Sequence, residues 1–427
     1  MTYEAVVFDL DGTITDSAPG ILESVRYALE KMQLPIPPDA ILHRFLGPSL
    51  AESFMRFCGL TREQAIEATL FYRERYHTIG WMENQVYPGI RPLLLTLKRA
   101  GVRLSIATGK PQDASEKILD HFKLRHLFNS IVGPQPVEYQ VLKSVLIRKS
   151  LQGFRGRAVM IGDRDLDILG AHEAGIDSIG VTYGYGSREE LENAQSTAII
   201  NSADDMYGVL GVSAEKHKGY FISFEGNDGC GKSTQVTMLA AQLRSYGFDV
   251  VQTREPGGSD IAEKVRTILL DPQNSGISDM TEAYLYAAAR AQHVREVILP
   301  ALAAGRIVIS DRYVDSSIAY QGAGRELGIK LVEQLNAPAI DGRLPNLTIL
   351  LDIDAKTAMQ RRQSATGVDR IEMQSGAFHT RVEQAFHQLA SENSARYEVI
   401  NADADKETIS KQVAEIVFER LQGAGLL

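Results

Sequence analysis

The sequence contains little cysteine and no excess of basic residues. Only two of its 427 residues are cysteines, Cys58 and Cys230, so a disulfide framework is excluded and a reducing compartment is expected. The formal net charge is −9, which argues against a general nucleic-acid binder, because such proteins contact phosphates through clustered Lys and Arg. A negative net charge still allows small anions to bind, since a local nest of backbone N–H groups can hold them.

Long apolar runs are also absent. The first nine residues, Met-Thr-Tyr-Glu-Ala-Val-Val-Phe-Asp, have no basic stretch and no long apolar segment, so we predict no signal peptide. No other segment is long and apolar enough to predict a membrane span. We therefore expect a globular cytoplasmic protein with neither a membrane nor a nucleic acid as its partner.

The pattern that is present alternates strand-like and helical segments along the whole chain, which predicts the α/β class with parallel sheets. A length of 427 residues favours two or three domains. New motif-bearing units begin at the strand-like runs Ala5–Phe8 and Tyr220–Phe224, and Asn201–Gly219 between them lacks strong apolar periodicity. We predict two Rossmann-like parallel-sheet domains, over residues 1–213 and 217–427.

One glycine-rich stretch carries the most specific chemical signal. The pattern Gly-x-x-x-x-Gly-Lys-Ser follows an apolar run and precedes an amphipathic one, which is the strand–loop–helix context of a phosphate-binding loop. The loop N–H groups and the helix N-terminus surround an oxyanion, the Lys reaches the β- and γ-phosphates, and the Ser hydroxyl ligates Mg²⁺. A chance glycine-rich turn is the alternative. The predicted phosphate-binding residues here are Gly226, Asn227, Asp228, Gly229, Cys230, Gly231, Lys232, Ser233 and Thr234.

Further polar residues in the second half stand where a ligand could reach them. Arg254 precedes a Pro-Gly-Gly turn and could hold an anion, although a surface turn is equally consistent. Tyr286 and Arg290 are four residues apart on one helix face and could contact a planar base, with a helix–helix contact as the alternative. Asp311 and Arg312 end a buried strand, where the Asp can hold a Mg²⁺-bound water and the Arg a phosphate.

Arginines surround a second glycine-containing loop. Arg361, Arg362 and Arg370 flank Ser364-Ala-Thr-Gly367, an arrangement that suits a lid closing over a triphosphate. A solvated, charged helix end is the usual alternative for such a charge run.

Carboxylates and a hydroxyl end three strand-like runs of the first half. Asp9 and Asp11 end the first run, Thr108 ends the second, and Asp163 and Asp167 end the third. Ligands bind at the carboxyl ends of parallel strands, so these groups are expected to converge. Neighbouring carboxylates repel unless a cation such as Mg²⁺ lies between them, although an Asp-Gly turn with a stray acid is the alternative. The layout indicates a phosphoester hydrolase.

The motifs of the first half resemble those of the haloacid dehalogenase superfamily, in particular its phosphoglycolate-phosphatase and nucleotidase-like members. They are Asp-Leu-Asp-Gly-Thr-Ile-Thr-Asp-Ser, Ala-Thr-Gly-Lys, Gly-Asp-x-x-x-Asp and Gly-Pro-Ser-Leu. The resemblance implies that Asp9 is a nucleophile and Asp11 a general acid/base, beneath a helical cap over residues 17–85. It also implies that Thr108 and Lys110 bind the phosphoryl group, and that Mg²⁺ is held by Asp9, Asp11, Asp163 and Asp167.

One position departs from this pattern. The superfamily has a Lys at the start of the helix before the Gly-Asp strand, and the apolar register of that helix places Glu138 there. Lys143 is about one turn further along and is expected to point from a different face. An acid beside Asp9 would repel phosphate. Two hypotheses follow: a Mg²⁺-dependent phosphatase acting on a small phosphoester such as a nucleoside monophosphate, or a catalytically silent module for binding, scaffolding or regulation.

The motifs of the second half resemble those of bacterial-type thymidylate kinases. They are Glu-Gly-x-Asp-Gly-x-Gly-Lys-Ser-Thr, Thr-Arg-Glu-Pro-Gly-Gly, Ala-Arg-Ala-Gln-His, Asp-Arg-Tyr-Val-x-Ser-Ser-x-Ala-Tyr-Gln-Gly and Asp-Arg-Ile-Glu, in the family's order. The resemblance implies a P-loop nucleoside monophosphate kinase fold, a homodimer formed through this half, and phosphoryl transfer from ATP to dTMP. A P-loop switch without kinase activity is a weaker alternative, because it has no use for Tyr286 and Arg290.

The same resemblance implies a role for each matching residue. Lys232, Ser233 and Asp311 would serve ATP and Mg²⁺, and Arg361, Arg362 or Arg370 would act in catalysis from the lid. The implied dTMP-binding residues are Asp228, Arg254 and Arg312 near its sugar and phosphate, and Tyr286, Arg290 and Gln321 around thymine.

Overall fold

The computed structural model describes residues 2–135, 141–213, 219–354, 357–358, 361, 370–371 and 373–427. The chain divides into two compact units, Met1–Glu215 with Arg244–Phe248, and Lys216–Leu243 with Asp249–Leu427. Within the described ranges, no helix combines the length and the apolar character that crossing a bilayer requires.

The first unit is built on a six-stranded parallel sheet, with a separate antiparallel pair beside it. The strands are β1 (Ala5–Phe8), β2 (Thr15–Asp16), β3 (Gln85–Val86), β4 (Arg103–Ala107), β5 (Ser130–Val132), β6 (Ala158–Gly162), β7 (Asp177–Val181) and β8 (Ala198–Ile200). The sheet order is β5-β4-β1-β6-β7-β8, and β2 pairs with β3. All four residues of β1 are buried, as expected for a central strand covered on both faces.

The register of this sheet aligns the ends of its central strands. Phe8 of β1 lies opposite Ile106 of β4 and Ile161 of β6. The three strands therefore end at one edge, and Asp9, Thr108 and Asp163 immediately follow them.

The helices of the first unit cover the sheet and form a cap. They are α1 (Ala18–Lys31), α2 (Asp39–Leu42), α3 (Leu50–Cys58), α4 (Arg62–Thr78), α5 (Ile90–Arg99), α6 (Gln112–His121), α7 (Lys143–Ser150), α8 (Asp165–Ala174), α9 (Arg188–Asn193) and α10 (Asp205–Leu210), with 3-10 turns at His43–Phe45, Gly80–Met82 and Arg125–Leu127. Helices α1 to α4 share a separate apolar core that includes Leu29, Phe45 and Phe54. A capping box, for which the sequence Thr61-x-x-Gln64 is typical, starts α4: Gln64 N donates to Thr61 Oγ1 at 3.3 Å, and Thr61 N donates to Gln64 Oε1 at 3.0 Å.

The second unit has a five-stranded parallel sheet in the order β10-β11-β9-β12-β13. Its strands are β9 (Tyr220–Glu225), β10 (Val250–Arg254), β11 (Ile307–Asp311), β12 (Leu347–Asp352) and β13 (Tyr397–Asn401). β9 is central and fully buried, and the glycine-rich loop follows it directly. The central strands contribute to one apolar core, which contains Phe221, Val308 and Leu350 together with Tyr313 and Phe386.

Helices surround this second sheet. They are α11 (Lys232–Ser245), α12 (Asp260–Leu270), α13 (Asp279–His293), α14 (Leu299–Ala303), α15 (Val314–Ser317), α16 (Ile329–Ile340), α17 (Gly376–Glu392) and α18 (Lys406–Gly423), with π-helical segments at Val294–Ile298 and Ile318–Gly324 and a 3-10 turn at Pro272–Asn274. α11 begins at the Lys of the glycine-rich loop, so the strand–loop–helix arrangement predicted from the motif is confirmed.

Candidate active sites

Three carboxylates meet at the edge of the first sheet. Asp9, Asp163 and Asp167 each offer an oxygen, and these oxygens lie within 4.8 Å of one another. Asp163 is fixed on both sides, because its Oδ1 accepts from Thr13 Oγ1 at 3.2 Å and its Oδ2 accepts from Tyr185 N at 2.7 Å. The convergence predicted from the strand ends is present for these three acids.

The carboxylates of this cluster are buried and repel one another, so their ionised forms are destabilised. Burial raises the pKa of Asp163 to about 8, and the nearby Asp167 and Asp9 add to the rise. Burial also raises the pKa of Asp167, to about 6, while the charge of Lys143 works in the opposite direction. Clustered carboxylate oxygens of this kind fit a small divalent cation such as Mg²⁺.

The structure corrects the expectation for Lys143. Its Nζ lies 2.8 Å from Asp9 Oδ1 and 2.6 Å from Asp167 Oδ1, so this amino group joins two members of the acidic cluster. The physical reason is that α7 begins at Lys143 itself. Helical side chains are tilted toward the N-terminus, and a first-turn Lys can therefore reach back to the strand ends. Glu138 lies outside the described residues.

A second cation lies on the other side of this site. Lys110 Nζ is 2.6 Å from Asp11 Oδ2 and 5.2 Å from the ring centroid of Tyr76 on α4. Burial lowers the pKa of Lys110, but Asp11 and Tyr76 raise it more, so the net pKa is above its ordinary value and the amine stays charged. Thr108 is buried, and its Oγ1 accepts from Lys110 N at 3.2 Å. The structure thus brings Lys110 to Asp11. Tyr76 also lies at this site, although no sequence motif marks it as a site residue.

The glycine-rich loop of the second unit wraps its own lysine. Lys232 Nζ donates to the carbonyls of Gly226 at 3.0 Å and Asn227 at 2.8 Å. Gly226 has φ 133°, and a Cβ there would lie 2.5 Å from the carbonyl oxygen of Leu351, so a side chain is excluded. At the start of α11, Ser233 Oγ donates to the carboxylate of Asp311. Hydroxyl and carboxylate are the pair of oxygens that the Mg²⁺ prediction requires.

A pocket of about 530 Å³, including space open to solvent, borders this loop. Five of the six predicted dTMP-binding residues line it; they are Asp228, Tyr286, Arg290, Arg312 and Gln321. The sequence analysis missed Arg266, whose Nη1 donates to the Pro256 carbonyl at 2.7 Å and which also lines the pocket. Arg266 lies on α12, and the sequence around it carries no motif that could have identified it.

Asp228 and Arg312 form a charged pair in the lining of the pocket. Arg312 Nη2 donates to Asp228 Oδ1, and Tyr320 OH donates to Asp228 Oδ2 at 2.8 Å. Burial raises the pKa of Asp228, but the charges of Arg312 and Lys232 lower it more, so the net pKa is well below its usual range. Arg312 has φ 70°, a left-handed conformation for a non-glycine residue, which is often found at functional sites.

Arg290 lies deeper in the same pocket and is almost fully buried. Its Nε donates to Glu255 at 2.7 Å, its Nη1 donates to Ser317 at 3.0 Å and to Asn336, and its Nη2 donates to the Tyr313 carbonyl at 3.2 Å. These bonds fix the guanidinium plane in the pocket wall.

The remaining predicted arginines are not gathered here. Arg254 is 55% exposed, pairs with Glu263 at 3.1 Å and does not line the pocket, so the structure does not group it with the other dTMP-binding candidates. Arg361 donates to the Ala402 carbonyl at 2.7 Å and to Asp403 at 2.9 Å, beyond β13. Arg362 lies outside the described residues.

Comparisons with known proteins identify both units. Residues 224–413 match the family model for thymidylate kinase, and residues 6–181 match that for haloacid dehalogenase-like hydrolase. A thymidylate kinase of Geobacillus sp. (strain WCH70) is 46% identical over 208 residues, which is 48% of this chain and 99% of the relative. A thymidylate kinase of Limosilactobacillus fermentum is 48% identical over 205 residues, which is 47% of this chain and 96% of the relative.

Two solved structures resemble the chain over about half of its length. A predicted phosphatase from Clostridium acetobutylicum is 42% identical, with a TM-score of 0.46, and the match covers 49% of this chain and 99% of that one. A haloacid dehalogenase-like family hydrolase from Streptococcus pneumoniae is 31% identical, with a TM-score of 0.46 and the same coverage.

Proposed function

Since the chain belongs to the thymidylate kinase family through its second half and carries a haloacid dehalogenase-like hydrolase domain in its first, we propose that it is a two-site enzyme that phosphorylates dTMP and hydrolyses a small phosphoester. The observation that carries the kinase half is the pocket beside the glycine-rich loop. Its lining combines an aromatic ring and polar side chains with the charged pair of Arg312 and Asp228, as a nucleoside monophosphate requires.

In the proposed kinase reaction, the loop N–H groups and Lys232 hold the ATP phosphates, and Arg312 binds the dTMP phosphate. A dTMP oxygen attacks the γ-phosphorus as the bond to the ADP oxygen breaks, so catalysis depends on alignment and on charge stabilisation. Ser233 and Asp311 are the residues that would hold Mg²⁺, which would neutralise phosphate charge when bound. Tyr286, Arg290 and Gln321 position the base.

The observation that carries the hydrolase half is the position of Lys143 between Asp9 and Asp167. It supports a working phosphatase over the silent module, because the cation that Glu138 was expected to replace is in place. In the proposed reaction, Asp9 Oδ attacks phosphorus, the alkoxide leaves with a proton from Asp11, and water then hydrolyses the aspartyl-phosphate. Asp9, Asp163, Asp167 and the backbone at Asp11 would hold Mg²⁺, which would screen the phosphoryl charge.

Two assays on the purified full chain test these proposals. ADP formation from ATP should require dTMP, and an ADP signal that is unchanged when dTMP is left out would contradict the kinase proposal. Phosphate release with Mg²⁺ is measured on dTMP, dUMP, other nucleoside monophosphates, phosphoglycolate and an aryl phosphate. Asp9→Asn is the blank, and release no higher than this blank for every compound would contradict the hydrolase proposal.

A further inference from the structure

Gln321 presents an unused acceptor at the base end of the pocket. The side chain is 1% exposed and lines the pocket. Its Nε2 donates to Glu282 Oε1 at 2.9 Å, whereas its Oε1 is buried and has no hydrogen-bond partner within the described part of the chain. A buried acceptor without a partner is costly, so this oxygen is poised for a donor from a ligand.

Glu282 fixes the orientation of the Gln321 side-chain amide. It is fully buried and is not part of the pocket lining. Its Oε1 also accepts from Arg325 Nε at 3.2 Å, and its Oε2 lies 3.0 Å from Arg325 Nη2 and 2.7 Å from Arg370 Nη2. A carboxylate between two guanidinium groups only accepts hydrogen bonds. The NH₂ of Gln321 must therefore face Glu282, and its oxygen must face away.

Arg290 supplies the complementary donor. A guanidinium has five N–H groups, and its bonds to Glu255, Ser317, Asn336 and Tyr313 use four of them. Among the residues that the structure describes, one Nη2–H has no partner and is available to a ligand. An acceptor from Gln321 and a donor from Arg290 in the lining of one pocket match a pyrimidine with N3–H and O4. Cytosine has the opposite pattern, with an acceptor at N3 and an amine at C4.

We propose that Glu282 is a positioning residue for base selection: by fixing the amide of Gln321, it makes the pocket accept thymine and reject cytosine. This inference rests on the proposed kinase activity. Glu282 touches neither the base nor the reacting atoms and acts through Gln321.

The test is the ratio of kcat/KM for dTMP to that for dCMP in the E282Q variant of the full chain. The amide that E282Q introduces has one acceptor end and one donor end. Arg325 and Arg370 donate hydrogen bonds, so they favour the oxygen of the new amide, and its NH₂ is left to face Gln321. The side-chain amide of Gln321 must then rotate so that its own oxygen accepts from this NH₂. The ratio should fall about 10- to 100-fold, mainly through a higher KM for dTMP. The reason is that the buried hydrogen bond to thymine N3–H is lost, because the NH₂ of the rotated Gln321 then faces this N–H. A ratio unchanged from wild type overturns the inference.

A second variant distinguishes the proposed role of Glu282 from a general disturbance of the pocket structure. In E282Q/Q321E the charge count is kept and position 321 can only accept, so the preference for dTMP should return to within about threefold of wild type. A double variant no more selective than E282Q also overturns the inference. The matched control is E398Q on β13, which removes a half-buried pair with Arg420 at 2.6 Å and should leave the ratio unchanged. Failure of the kinase proposal is distinct: wild type would then form no ADP with dTMP.

Discussion

Lys143 is the single side chain on which the charge balance of the first site most depends. It is the partner of both Asp9 and Asp167, and burial alone would lower its pKa. The two carboxylates raise its pKa more than burial lowers it, so the amine is held charged. Without that charge, two buried acids would repel each other and an incoming phosphate.

We expect Lys143→Met to lower kcat/KM for phosphate release about 10²–10³-fold, the usual cost of removing a preorganised charged donor. The matched control is Lys149→Met on the exposed face of the same helix, which should leave release unchanged. Release is measured with Mg²⁺ on whichever compound the wild type hydrolyses fastest, and calorimetric unfolding of both variants reports whether the first unit is folded. Equal rates for the two variants would contradict the role assigned to Lys143.

Side-chain identities at strand ends could be predicted from the sequence, because a motif fixes both the residue type and its place. Asp9, Asp163 and Asp167 met as expected for that reason. Lys143 could not be placed, since its direction depends on where α7 begins, and apolar register does not fix a helix start to within one turn. Arg266 and Tyr76 reach their sites only through tertiary packing, which no local pattern records.

Among the secondary-structure elements, α7 and α8 approach closely enough to need a glycine. A Cβ on Gly170 of α8 would lie 2.7 Å from Lys143 Cβ and 3.2 Å from Ser144 N. Neither atom is the end of a flexible chain, so α7 would have to move, and Lys143 would move with it.

Gly170→Ala should therefore lower phosphate release at least about tenfold, because displacing a catalytic constellation by about 1 Å is that costly. Gly208→Ala in α10 is the matched control, since nothing lies within 4 Å of a Cβ there. The control should keep full release and gain about 0.5–1 kcal/mol of stability from helix propensity. Wild-type release by Gly170→Ala would show that the helix spacing is not limiting.

The end of β9 carries a buried acid whose ionisation opposes folding. Glu225 accepts from Tyr313 N at 2.8 Å and from Ser316 Oγ at 2.5 Å. Burial, with the added charge of Asp315, raises its pKa to about 8. The pKa in the unfolded chain is about 4.3, so this group favours folding below that pH and loses the contribution as pH rises through about 8.

Glu225→Gln should remove this dependence. The stability of the variant relative to wild type should increase between pH 5 and pH 9, as the wild type comes to bury a charge. Calorimetry at pH 5, 7 and 9 measures it on the transition that ATP and dTMP shift upward, which identifies the kinase unit. A difference between the two proteins that stays constant across this range would contradict the assignment.

Strand positions could be predicted well where both faces are buried, as for Ala5–Phe8 and Leu347–Asp352. The sequence Phe248–Gln252 reads as a strand by its apolar residues alone, whereas β10 lies at Val250–Arg254. β10 is an edge strand with Gln252 and Arg254 exposed, so its last residues lack the apolar character on which the prediction relied.

Across the full chain, two units are each built on a parallel sheet, and each has its own cluster of charged side chains at the strand ends. The homodimer implied by the kinase motifs stays a prediction, as do the identity of the phosphoester and the roles of Arg254, Arg361 and Arg362. What the account requires is that the two activities be separable by single substitutions.

That requirement is tested most directly by two reciprocal variants of the full chain, assayed for both activities. Lys232→Ala should reduce dTMP-dependent ADP formation at least about 10²-fold and leave Mg²⁺-dependent phosphate release at the wild-type rate. Asp9→Asn should abolish phosphate release and leave ADP formation unchanged. If each variant lost both activities, or if wild type and Asp9→Asn released phosphate equally, the account of two separate active sites would be contradicted.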